Sequence, residues 1–64
     1  MRRTLVNGQV FVTYQANPSD EVYGWLETAE GKIVPRSGGW YRTNDPGKAF
    51  LIADLNASAK AKEG

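Results

Sequence analysis

Hydrophobic and polar positions alternate with a period of two in the first half of the chain, then recur every three to four residues in the last third. Over residues 9–14, Val10, Val12 and Tyr14 share one side of an extended chain, and Phe11 and Thr13 share the other. Asn7-Gly8 just before this run is a strong two-residue turn signal, because both central positions favour φ > 0. Residues 3–6 and 9–14 are therefore expected to form a hairpin, with Leu5 opposite Val10 and Thr4 opposite Phe11. Residues 21–28 read as a second long strand, with Tyr23, Trp25 and Glu27 on one side and Val22, Gly24 and Leu26 on the other. Glu30-Gly31 turns the chain into Lys32-Ile33-Val34, and Pro35, which has no ladder donor, ends that piece or leaves it at an edge. Ser37-Gly38-Gly39 breaks the pattern before an extended Trp40-Tyr41-Arg42-Thr43.

The best helix start is Asp45-Pro46, an N-cap residue followed by a proline whose missing N–H costs nothing at the first helical position. Downstream, Leu51, Leu55 and Ala59 recur every four residues and Ile52 lies three before Leu55, which predicts an apolar stripe on one helix face. The expected fold is α+β: a small antiparallel sheet of three to five strands, built from two hairpins and packed against one C-terminal helix. Asn44-Asp45-Pro46-Gly47 is also a good β-turn. On that alternative residues 48–57 form a last strand and the chain is an all-β SH3-like barrel. The alanines at 49, 53, 57, 59 and 61 favour the helix. One small domain is expected over residues 1–57, with 58–64 a frayed helix end or disordered tail.

A chain of 64 residues buries about one layer of side chains, so function is expected on a surface rather than in a deep pocket. The expected core comprises Leu5, Val10, Val12, Trp25, Leu26, Ile33, Trp40, Phe50, Leu51, Ile52 and Leu55. With no cysteine and no histidine, thiolate and imidazole chemistry are both absent. No apolar run is long enough to cross a membrane, and a soluble, cytoplasmic protein is the expectation. Net charge is only +1, but its distribution is uneven. Arg2 and Arg3 precede any acid, and Lys32, Arg36 and Arg42 share a stretch without one, whereas Asp20, Glu21, Glu27 and Glu30 cluster.

No catalytic signature emerges from these residues. Glu27 with Glu30, and Asp45 with Asp54, are not spaced to place two carboxyls in different environments over one substrate. Ser37-Gly38-Gly39 and Pro46-Gly47-Lys48 fall short of any phosphate-cradling loop. No catalytic residue, cofactor site or metal site is expected. The aromatic residues Tyr14, Tyr23, Trp25, Trp40 and Tyr41 are interleaved with Lys32, Arg36 and Arg42, the combination that stacks on bases and holds phosphates. With both tryptophans assigned to the core, alternation makes Tyr41 the exposed aromatic. The candidate binding residues are then Arg2, Arg3, Lys32, Arg36, Tyr41 and Arg42.

Tyr23-Gly24-Trp25-Leu26-Glu27, Gly31-Lys32-Ile33-Val34-Pro35-Arg36, Gly38-Gly39-Trp40-Tyr41-Arg42-Thr43 and the alanine-rich helix after them resemble DNA-binding domains of the AP2 and integrase N-terminal type. The resemblance covers about residues 21–57. It implies a sheet laid in the major groove with the helix packed behind, and Lys32, Arg36 and Arg42 contacting DNA. The chain departs from that pattern in carrying fewer Arg and Lys and in placing Pro35 in a reading strand.

These observations converge on a non-enzymatic binding module, first of all a nucleic-acid (DNA) binding accessory or regulatory protein of phage or mobile-element character. The alternative is a protein-binding adaptor or inhibitor acting through a sheet face with Val6, Phe11 and Thr13 opposite the helix, as a homodimer or with another protein.

Overall fold

The computed structural model describes residues 1–63. Strand β1 (Arg2–Thr4) pairs antiparallel with β2 (Val10–Tyr14), β2 with β3 (Val22–Glu27), and β3 with β4 (Gly39–Tyr41). The result is a four-stranded meander in the order β1-β2-β3-β4. Helix α1 (Pro46–Glu63) crosses one face of it, over β2 and β3. This is the expected α+β arrangement; residues 48–57 are helical, so the all-β barrel does not form. The end expected to fray, 58–64, includes Gly64, which lies outside the described residues.

The helix begins where its cap dictates. Asp45 Oδ1 accepts the Gly47 N–H at 2.9 Å, and the Asp45 carbonyl accepts the first helical bond from Ala49. Pro46 occupies the first helical position.

Two tight turns, at residues 5–9 and 28–32, use one device. Gly8 N–H donates to the Leu5 carbonyl and Leu5 N–H to the Gln9 carbonyl, with Gly8 at φ 90°. In the second, Gly31 N–H donates to Thr28 and Thr28 N–H to Lys32, with Gly31 at φ 91°. Each is a three-residue loop closed by a left-handed glycine and a bulge, not a two-residue turn. The extra loop residue in the first corrects the expected register. Thr4 faces Val10 and Arg3 faces Phe11, one residue away from Leu5 opposite Val10. A one-residue slip exchanges faces, so Arg3 and Leu5 turn toward the helix while Arg2 and Thr4 turn away. Beyond the second loop the expected strand at Lys32-Ile33-Val34 is reduced to one bridge, Glu27 with Ile33.

The core lies between sheet and helix. Leu5, Phe11 and Val22 meet Ala49, Ala53 and Ala57, with Leu26, Tyr41 and Phe50 packed at the margin. Burying Phe11 (1% exposed) contributes about 3 kcal/mol at most before entropy is counted. The sheet carries the bulk here, so the helix approaches through its smallest side chains. That corrects the expected stripe: Leu51, Ile52 and Leu55 are exposed, Leu55 by 70%. Leu51 lies about 200° around the helix from Ala49, so the two cannot share a face. Ile33 and Trp40, also expected in the core, are exposed; Val10, Trp25, Leu26 and Phe50 are half-buried, and Leu5 and Val12 are buried as expected.

Candidate functional site

Register decides which side chains share the sheet face that α1 leaves open. Tyr14, Tyr23 and Trp40 form one row across β2, β3 and β4, since Tyr14 pairs with Tyr23 and Tyr23 with Trp40. Arg2, Val12 and Trp25 form the next row, and Thr4, Val10 and Glu27 the third. Phe11 and Thr13, expected opposite the helix, lie beneath it instead and are buried. The open face is therefore the aromatic one.

Tyr23 is the hub of that face. Its ring centroid lies 5.1 Å from Trp40 in an edge-to-face arrangement and 6.0 Å from Trp25. Trp40 is 66% exposed and Tyr14 60%, so both rings are open to solvent. Sequence reasoning missed Trp40 by treating a tryptophan in a small chain as core. Its partner Tyr41 is corrected likewise: alternation turns it under the helix, where its ring meets Phe11 edge-on at 5.3 Å. Burial raises the Tyr41 phenol above its ordinary pKa.

A carboxylate orders one end of the face. Glu27, 5% exposed, accepts the Trp25 indole N–H at 3.1 Å and pairs with the Arg2 guanidinium. Arg2 stands on β1 and Glu27 on β3, so the pair arches over β2 and covers Val12. The Trp25 hydrogen bond is the main cause holding the Glu27 carboxyl below its ordinary value; desolvation opposes it, and the bond and charge of Arg2 add to the lowering.

Beside Trp25 the chain builds a cleft of about 360 Å³ between the Tyr23 and Trp25 rings and loop 33–38. Val34-Pro35-Arg36-Ser37 closes as a turn, with Ser37 N–H donating to the Val34 carbonyl at 3.3 Å. Proline at its second position and φ 62° at its third, Arg36, have the pattern of a type II turn. Ser37 then fastens the loop to β3: its hydroxyl accepts the Leu26 N–H at 3.0 Å and donates to the Val34 carbonyl at 2.6 Å. A Cβ on Gly38 would collide with the Tyr23 hydroxyl, so the ring lies directly against that backbone. Ile33 and Arg36, both exposed, form the rim.

The chain matches no protein-family profile, no curated protein and no solved structure.

The sequence-derived candidates do not gather at one place. Arg36 lines the cleft, and exposed Lys32 adjoins its Ile33 wall. Arg2 lies on the open face, tied to Glu27. Arg3 points to the helix side, its guanidinium 5.1 Å from the Phe50 ring centroid. Arg42 is exposed just past β4, and Tyr41 is beneath α1. What the fold does bring together is Tyr23, Trp25 and Trp40 with Arg36 beside them. No group of three or more acidic side chains that could hold a metal ion occurs among the described residues. No helix among them is long and apolar enough to cross a membrane.

Proposed function

We propose that this chain is a nucleic-acid-binding module without catalytic activity, working through the open aromatic face of its sheet. The observation that carries this reading is the Tyr23–Trp25–Trp40 cluster on the sheet face that α1 leaves open, with Trp40 exposed. Exposing so much aromatic surface is unfavourable in water unless a ligand covers it. Bases stack on such rings, and Arg36 in the lining of the adjoining cleft stands beside them as a partner for phosphate. Glu27, the acid paired into this face, is neutralised by Arg2. This moves the site from the basic residues of the sequence reading onto the aromatic ones.

The test is fluorescence anisotropy with labelled single-stranded and duplex oligonucleotides at rising salt. Binding that weakens with a log–log slope of about −0.7 to −0.9 per phosphate contact, and that Trp40→Ala reduces, supports the reading. No binding at low salt ends it. A protein partner is a second reading, favoured by the outward Leu51, Ile52 and Leu55 of α1. Sedimentation at rising concentration separates the two, because self-association through the helix leaves Trp40 untouched.

A further inference from the structure

We infer that the cleft beside Trp25 is a pocket for one unpaired nucleobase, which makes the preferred ligand a single strand. This rests on the nucleic-acid reading above and names its substrate class. Three observations converge on it. The space, about 360 Å³, is at the lower end of small-molecule clefts, enough for one planar ring system and its sugar. Its walls are flat or apolar: Tyr23 and Trp25 on the sheet side, Ile33, Val34 and Pro35 on the loop side. Its one charged lining residue is the cation Arg36, while the carboxylate of Glu27 on the same face is occupied by Arg2 and the Trp25 indole. An uncharged ring with an anionic tether matches that combination. A proline-rich peptide would fill the apolar walls but leave Arg36 without a counter-charge.

The geometry also excludes the duplex as best ligand. Within a double helix each base has both ring faces covered by its neighbours and its edge engaged by its partner. Only an unstacked base can offer a face to Trp25. Ser37, the one hydroxyl of the loop that lines the cleft, is already bonded to Leu26 and Val34, so the side-chain groups left to meet a base edge are the Arg36 guanidinium and the Tyr23 hydroxyl. Stacking on an aromatic ring is open to every base, so base preference is weak.

The experiment uses the Trp40→Phe protein, in which Trp25 is the sole tryptophan and its emission reports the cleft. Three probes are titrated: a short oligothymidylate, the same backbone with abasic sites, and a blunt duplex. The expected result is quenching of Trp25 by oligothymidylate alone, with roughly tenfold weaker binding of the abasic strand, as loss of one stacked base requires. Ile33→Ala, at an exposed rim position that leaves the fold intact, should weaken oligothymidylate several-fold and leave the abasic strand unchanged. Equal affinity for the abasic strand or the duplex, with Trp25 emission unmoved, overturns the pocket while the nucleic-acid reading stands. If none of the three probes binds, both fail. Quenching by a proline-rich peptide in place of oligothymidylate assigns the cleft to a protein ligand and overturns the proposal.

Discussion

Glu27 accepts the indole N–H of Trp25 from two positions earlier on the same face of β3, at 3.1 Å. With Arg2 on its other oxygen, that carboxylate fixes the angle at which the Trp25 ring stands beside the cleft. The arrangement has a pH signature. Trp25 and Arg2 together hold the Glu27 pKa below its ordinary 4.5, so folding favours the ionised form. Its stabilising effect is fully present above the unfolded pKa and is lost as pH falls through the lower folded pKa. Glu27→Gln should lower the thermal midpoint at neutral pH, and the gap to the parent should close in acid. Circular-dichroism melts at several pH values check this; a gap that is constant with pH contradicts it.

Arg36 is the single non-glycine residue with positive φ among the described residues, at 62°. An L-residue held there costs on the order of 1 kcal/mol, which glycine does not incur. Arg36→Gly should therefore melt no lower than the parent, and up to a few degrees higher, while binding oligonucleotide more weakly. The salt slope should drop by about one phosphate contact. A residue serving only the turn would show the stability change without the change in slope.

Gly24 and Gly39 pair in register, yet their surroundings differ sharply. A Cβ on Gly24 would fall 2.5 Å from Phe11 Cζ and 3.0 Å from Tyr41 Cε1, whereas one on Gly39 meets nothing within 4 Å. Gly24→Ala should cost about 1–3 kcal/mol by forcing both rings aside. Gly39→Ala should be close to neutral. Urea denaturation of the two variants measures the difference, and equal midpoints would show that the sheet and helix are not packed as described.

The orientation of α1 has its own test. Ala53 faces the sheet and Leu55 faces solvent. Ala53→Leu should destabilise by about 1–3 kcal/mol through overpacking, and Leu55→Ala should stay within about 0.5 kcal/mol. The reverse order would mean that the leucine stripe is the buried one.

Local chemistry carried much of this architecture in the sequence. Asp45-Pro46 marked the helix start because a cap depends on residues two positions apart. The alternation of Val22 through Glu27 told correctly which side chains share a side, since a strand has no other option. Direction was harder. Leu51-Leu55 and Ala49-Ala53-Ala57 are both regular stripes, and periodicity locates a stripe without saying which one meets the sheet; the bulk of Phe11 and Tyr41 decided that. Asn7-Gly8 was read as a two-residue turn because either loop length needs a residue at positive φ, and the one-residue difference exchanged faces in β1. The cleft was out of reach of any local rule, since it exists through a bond from Ser37 to Leu26, eleven residues away.

The most direct test of the central claim is where an oligonucleotide touches the folded chain, read from amide and indole chemical shifts during titration with a short single strand. The account predicts that the shifts concentrate at Tyr14, Tyr23, Trp25, Trp40 and residues 33–38, and spare the exposed helix positions Leu51 and Leu55. Shifts confined to the helix, or none at low salt, would contradict it.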